Sequence, residues 1–387
     1  MGTVDGNNDI TPWNYDPNAE PPYDDEQEPP PPDDDGSGGV MVPSPSDPMA
    51  VARRLINEYL IDGILTVRQW RGGWMVWKQT HWIEAEPTEI KSSVYRHLEH
   101  AVYIDTSTKI PKIKPWQPNK YKVANVVEAM TAITYLSEDV NPPAWLLVRD
   151  GPPSSPPCIA DEIVSCSNGL LHVGTRKLIE HTPAYFNRVA VPFDYDASAP
   201  SPRKWRAFLD QLWPDDPESI AALQEFFGYV LSGRTDMHKI MLLIGPTRSG
   251  KGTIARVLGA LVGKGNVAGP TLASLGQNFG LSPLLGRPLA VVSDARLGGA
   301  NVHQVVERLL SVSGEDTLTV DRKYREPWTG KLPTRFLLLS NELPRFGDAS
   351  GAIAHRFVVL IMAASFLGRE NTRLTAELLE ELPGILG

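Results

Sequence analysis

The sequence predicts an α/β protein. Its core is a domain built on a parallel sheet, preceded by a smaller α+β domain and an acidic N-terminal tail. Three observations predict this. Short apolar runs ("KIMLLI", "RPLAVV", "TRFLLL") recur in the C-terminal part and end in glycine or polar residues, with helix-patterned stretches among them. The first run leads into a glycine-rich turn, "GPTRSGKGT", spanning Gly245 to Thr253. The N-terminal 48 residues hold twelve Asp/Glu and no Lys or Arg.

In chain order, residues 1–48 are rich in proline and acid and poor in aliphatic side chains. Such a segment buries too little surface to offset its chain entropy, so it reads as a disordered tail. It also distorts the overall charge. The net charge is −9, yet past residue 48 the chain carries 37 basic and 34 acidic residues. That body permits nucleic-acid binding without arguing for it; local clusters must do so. No signal peptide and no apolar run long enough to span a membrane is present, which places the expected protein in the cytoplasm, away from membranes. Two cysteines are too few for a disulfide framework and read as reduced thiols. A zinc site from Cys158, Cys166, His172 and His181 has none of the usual ligand spacings and is set aside.

Residues 49–150 read as the α+β domain. Asp47 caps and Pro48 opens a first helix in "DPMAVARRLINEYL". "TVRQWRGGWMVWKQTHWIEA" is rich in aromatic and β-branched residues around Gly72-Gly73 and predicts a small meander. "PTEIKSSVYRHLEHAVYI" has helical spacing, and "KVANVVEAMTAITYL" a further helix. Between them, residues 108–122 carry five lysines with Trp116 and Tyr121. They suit either a nucleic-acid surface, with lysines on phosphates and aromatics on bases, or a solvated, proline-stiffened loop. Residues 149–158 read as a linker leading into a connecting segment, 151–232. That segment holds short strands about Asn168-Gly169, a hairpin signal, and two amphipathic helices, the second opened by Asp216-Pro217.

Residues 233–387 carry the chemistry. The strand–glycine loop–helix context is the one a triphosphate cradle requires. Gly245, Pro246, Thr247, Arg248, Ser249, Gly250, Lys251, Gly252 and Thr253 form the loop. Its amides face phosphates, Lys251 reaches the outer ones, and the helix N-terminus adds positive potential. The residue after Lys251 is Gly252 where Ser or Thr is usual, so the metal-facing hydroxyl is expected from Thr253 or is replaced by water. "RPLAVVSDARL" delivers Asp294 to a strand end, where a carboxylate can hold the metal on the phosphates. Ser293 and Ala295 flank it, so no second acid marks a general base. "TRFLLLSNELPRF" ends its strand at Asn341, whose amide can orient the attacking water or serve a turn. Arg356 in "DASGAIAHRFVVL" can reach a neighbouring subunit's γ-phosphate or form a structural ion pair. "TLTVDRKY" reads as a strand and "EPWTG" as a turn, giving a hairpin with Arg322, Lys323, Tyr324, Arg325 and Lys331 suited to a single strand's backbone.

The order of phosphate loop, "VVSDARL", basic hairpin, "LLLSNELPR" and "SGAIAHRF" resembles superfamily 3 helicases, and most closely the helicase part of phage and plasmid primase–helicases, the group related to the poxvirus nucleoside triphosphatase. The resemblance extends upstream to about residue 50 through "WMVWKQTHWIEA" and "GLLHVGTRKLIEHTP". It implies an AAA+-type P-loop core, ATP and Mg2+ as cofactors, a homo-oligomeric, hexameric ring, and translocation on single-stranded or forked DNA. By the same resemblance Gly245, Gly250, Lys251 and Thr253 match the phosphate loop, Asp294 the metal-binding acid, Asn341 the sensor, Arg356 the finger and Lys323 with its neighbours the DNA-gripping hairpin. No polymerase-type carboxylate set stands upstream of residue 150, so priming is expected from a separate primase. The chain stops at "ELPGILG", where relatives continue with a further helical segment. Two other readings stay open: a small-molecule kinase, because "GKGT" occurs in nucleoside-monophosphate kinases, and a nucleotide-binding DNA-binding or assembly module with weak or no hydrolysis.

Overall fold

The structure, a computed structural model, describes residues 39–146, 157–295, 302–323, 325–344 and 351–387, without the side chains of Arg325 and Glu326. The expected disordered tail up to residue 38 and most of the expected linker lie outside the described residues. The chain divides into Met1–Val40 and Met41–Gly387, and the architecture below is that of the second unit.

The first helix spans Pro48–Ile56, with the Asp47 carboxylate accepting from the Ala50 amide at 2.9 Å. The meander forms an antiparallel sheet of Val67–Trp70, Gly73–Trp77 and Trp82–Ala85. The next helix, Pro87–Leu98, is shorter than its sequence pattern suggests. "EHAVYI" leaves it, and Val102–Asp105 pairs antiparallel with Lys112–Pro115. The β-branched, aromatic "VYI" favours the pleated strand once a pairing partner exists. That partner comes from the basic stretch 108–122, which is therefore a strand, Lys112–Pro115, followed by the start of the helix Lys120–Thr134. Trp116 at the strand's end is fully buried and its indole donates to the Pro43 carbonyl at 3.2 Å. It has no face free for a base, so the expected aromatic–lysine surface is reduced to the lysines and Tyr121, which is 78% exposed.

The connecting segment packs on this domain. The strand Ala144–Trp145 pairs with Tyr185–Phe186, and Trp82 donates through its amide to the Asn187 carbonyl at 2.8 Å. Phe186 meets Trp70 and Trp82 edge-on at 5.3 and 5.6 Å, a geometry that adds about 0.5–1.5 kcal/mol per pair beyond burial. The Asn168-Gly169 hairpin forms as expected, joining Ile163–Cys166 to Gly169–His172.

The C-terminal half is built on a five-stranded parallel sheet in the order Val267–Ala268, Leu289–Val292, Arg335–Ser340, Ile240–Ile244, Phe357–Ile361. Successive residues alternate between two apolar layers. Met241, Leu243, Leu337 and Leu339 join the layer of the helices Arg203–Leu212, Pro217–Leu231 and Lys251–Val262. Ile240, Leu242, Phe336 and Leu338 join the layer of the helix Val302–Ser313 and of Trp328. Both faces are covered, which is why these strands read as unbroken apolar runs. Among the described residues no helix is long and apolar enough to cross a membrane.

Candidate nucleotide site

In a parallel sheet, ligands collect at the carboxyl ends of the strands. Gly245 follows the strand Ile240–Ile244 and Asn341 the strand Arg335–Ser340, and these two strands are direct neighbours. The loop turns through Arg248 at φ +62° and Gly250 at φ +97° before the helix starts at Lys251. Gly245 is confined: a Cβ there would lie 2.7 Å from the Met362 carbonyl oxygen and 2.9 Å from Ser249 Oγ. Only glycine lets the loop approach its neighbouring strand this closely.

Lys251 folds back over the loop. Its Nζ donates to the carbonyls of Gly245 at 2.5 Å and Pro246 at 2.9 Å, to Ser249 Oγ at 3.1 Å and to Asn341 Oδ1 at 3.2 Å. Burial lowers its pKa below the ordinary lysine value. All four partners are neutral acceptors, so the ammonium charge is uncompensated and available to an anion. Two residues singled out in separate motifs, Lys251 and Asn341, thus meet directly.

The loop opens into a cleft of about 1040 Å³ lined by Thr247 to Thr253, Ser293 and Asn341. Ser293 contributes to the lining and Asp294 does not, although Asp294 is exposed immediately beyond it. Thr253 is largely buried, and its hydroxyl accepts from Arg256 Nη2 at 3.1 Å. Arg356 stands outside this cleft: its Nη2 lies 3.2 Å from where a Cβ of Gly314 would be, beside the end of the helix Val302–Ser313.

The outer wall comes from residues that carry no motif. Phe208 and Gln211 project from the helix Arg203–Leu212, and Phe366, Arg369, Asn371 and Thr375 from the segment after the last sheet strand. That segment is tied to the loop. The Phe366 amide donates to the Arg248 carbonyl at 3.0 Å, the Ser365 hydroxyl to the Thr247 carbonyl at 2.8 Å, and Arg248 pairs with Glu370 at 3.5 Å. "SFLGRENTRLT" has no periodicity to mark it. The one usable signal is topological: the strand Phe357–Ile361 lies beside the loop's own strand, so the chain leaving it emerges next to the loop.

The basic hairpin is the antiparallel pair Leu318–Arg322 and Arg325–Gly330. "EPWTG" is not its turn. Val320 pairs with Trp328 and both are buried, which holds this stretch in the strand and leaves the turn at Lys323. Arg322 lies at the root, its side chain 11% exposed and its Nη1 3.2 Å from Glu84 of the N-terminal meander. Lys323 and Lys331 are exposed, Tyr324 lies outside the described residues, and so does the side chain of Arg325. Cys158 and Cys166 are free thiols, and His172 is held by Thr175 and Glu162.

A family model described as "D5 N terminal like" matches residues 52–214, and one described as "Family of unknown function (DUF5906)" matches residues 243–356. Neither spans half of the chain. Among solved structures, an A form apo structure of the NrS-1 C terminal region is 16% identical with a TM-score of 0.52, over 86% of this chain and 66% of that one. A second apo structure of that region is 14% identical, TM-score 0.52, over 87% and 68%. These identities speak for the fold, and the chain spans just under two thirds of the first structure's length. An X-ray structure of JCV helicase overlaps 48% of the chain at 18% identity, and its TM-score of 0.35 is too low to argue from.

Proposed function

We propose that this chain is an ATP-hydrolysing DNA translocase or helicase of phage or prophage replication, with an AAA+-type P-loop core of the superfamily 3 kind. ATP is its substrate and Mg2+ its metal. It works in the cytoplasm as a homo-oligomeric ring, a hexamer by family resemblance, on single-stranded or forked DNA, with a separate primase supplying primers. One observation carries the nucleotide half of this reading: Lys251 and Asn341 converge at 3.2 Å in a cleft whose floor is a glycine-rich helix N-terminus. A cation, an amide and free backbone donors at one point form a receptor for a polyphosphate chain.

The residues present fit the group. Lys251 releases its loop carbonyls to meet the outer phosphates, Gly245 and Gly250 keep the loop tight around them, and Asn341 orients the water that attacks the terminal phosphorus. Asp294 would hold the metal, with Thr253 a second candidate once its hydroxyl is released by Arg256; the ion would supply charge neutralisation on the phosphates. Arg356 lies off its own cleft and is assigned to the site of an adjoining subunit. The exposed Lys323 and Lys331, with Arg325 and Tyr324, are assigned to the DNA backbone. Arg322, expected there as well, is 11% exposed and paired with Glu84 and is assigned instead to anchoring the hairpin.

The test is hydrolysis of ATP with and without single-stranded DNA. Stimulated turnover that vanishes in Lys251→Ala is expected. Turnover untouched by that substitution would sink the nucleotide site, and turnover indifferent to DNA would sink the translocase. One observation favours a second reading, a nucleotide-binding assembly module: Ser293 rather than an acid lines the cleft. Tight ATP binding with no turnover is the outcome that reading requires.

A further inference from the structure

The loop's departure at Gly252 has a neighbour that accounts for it. Arg256 sits one helical turn further on, and helical side chains lean toward the N-terminus over the preceding turn. Its guanidinium accordingly covers Gly252: a Cβ at that position would lie 3.2 Å from Arg256 Nη1. A serine or threonine there would press on the guanidinium. The space that a hydroxyl side chain takes in the usual loop is here held by an arginine.

Arg256 is placed to act on a ligand. It lines the same cleft as Lys251 and Asn341. Among the described residues its partners are two hydroxyls and no carboxylate: Thr253 Oγ1 at 3.1 Å from Nη2, and Thr375 Oγ1 at 3.2 Å from Nη2 and 3.3 Å from Nε. Nη1, the nitrogen over Gly252, bonds to neither. A cation leaning over the first turn of a helix faces the positive end of the helix dipole, an unfavourable arrangement without an anion. Lys251 adds a second uncompensated charge at the same end. Arg369 and the Arg248–Glu370 pair line the cleft as well, so its lining is net positive around a helix N-terminus and suits a polyanion.

We infer that Arg256 is a phosphate-contacting residue of the nucleotide site, in place of the metal-facing hydroxyl that Gly252 lacks. This rests on the nucleotide reading above and deepens it. Lys251 reaches the outer phosphates; Arg256, over Gly252 and Thr253, meets the phosphates nearer the nucleoside. ADP and ATP should depend on it alike, and binding should persist without a divalent cation, because a fixed guanidinium supplies part of the charge that the metal otherwise provides.

Titration of the full chain with fluorescent ADP and ATP analogues, in EDTA and in magnesium, tests this. Wild type is expected to bind in EDTA, and Arg256→Ala to weaken both nucleotides about tenfold there, the scale of one charge-assisted hydrogen bond. Arg256→Lys should fall between them. Gly252→Ser should weaken binding through contact with Arg256, and Gly252→Ser combined with Arg256→Ala should recover affinity only when magnesium is present. One result would overturn the inference: Arg256→Ala binding as tightly as wild type in EDTA. Wild type binding no nucleotide in either buffer would instead sink the nucleotide reading itself. Melting without nucleotide should be unchanged in Arg256→Ala, and a lowered melting point accompanying the loss would assign the residue to structure.

Discussion

Gly245→Ala and Gly228→Ala are the same substitution with opposite expected signs. At Gly245 the added Cβ would sit 2.7 Å from the Met362 carbonyl oxygen and 2.9 Å from Met362 Cβ. Neither atom is the end of a pliable side chain, and the Met362 amide is bound to the Ile244 carbonyl at 2.7 Å. Relief therefore requires the chain beyond the last sheet strand to back away from the loop by several tenths of an ångström. Overpacking of this kind costs about 1–3 kcal/mol, and at about 2–4 °C per kcal/mol for a large domain the melting temperature falls by several degrees. ATP affinity should fall with it, because the Gly245 carbonyl that holds Lys251 moves. At Gly228, inside the helix Pro217–Leu231, nothing lies within 4 Å of the new methyl. There alanine should be neutral or stabilising by up to about 1 kcal/mol from helix propensity alone. Differential scanning fluorimetry with and without ATP reads both variants. A Gly245→Ala protein that melts and binds like wild type would refute the close approach of loop to strand.

Three further outcomes are expected. Glu84 faces Arg322 at 3.2 Å and Arg188 at 3.9 Å, and burial already lowers the pKa of Arg188; Glu84→Gln should destabilise by about 1–2 kcal/mol, below a fully buried pair because both partners keep some solvent, and an unchanged urea midpoint would dismiss the bridge. Burial, with a lesser effect of Asp194, pushes the Cys166 thiol up to about 12, so alkylation at pH 8 should mark Cys158 alone in the native protein and both cysteines after unfolding; native labelling of Cys166 would contradict its burial. Arg356→Ala should lose hydrolysis and keep ATP binding, and mixing it with inactive Lys251→Ala should restore turnover if each cleft borrows the arginine of its neighbour; a mixture that stays inactive would return Arg356 to a structural role.

Much of the fold was legible because it rests on local chemistry. The Asp47-Pro48 and Asp216-Pro217 helix starts and the Asn168-Gly169 hairpin are each written in adjacent residues. The sheet strands were legible because two covered faces demand unbroken apolar runs. The misreadings arise where pairing overrides pattern. "EHAVYI" carries helical spacing, yet Val102–Asp105 finds a strand partner in Lys112–Pro115. "EPWTG" carries turn residues, yet Trp328 is worth more buried opposite Val320 than exposed at a tip. Trp116 looked like a stacking platform because its lysine neighbours face water. Its burial against the first helix's approach depends on Pro43, far away in sequence.

The site divides along the same line. Its floor is a contiguous motif and could be read directly, while its outer wall is assembled by topology from helix Arg203–Leu212 and the segment after Phe357–Ile361. The reading of Gly252 shows why a motif alone falls short. By the sequence it is an omission, repaired by moving one residue along to Thr253. In the structure Thr253 is already engaged by Arg256, and the same arginine covers the glycine. A missing side chain and an added cation four residues later are then one substitution distributed over a helical turn. Spacing i to i+4 puts both positions on one helix face and so allows that pairing, and it can be sought in any phosphate loop where glycine follows the lysine.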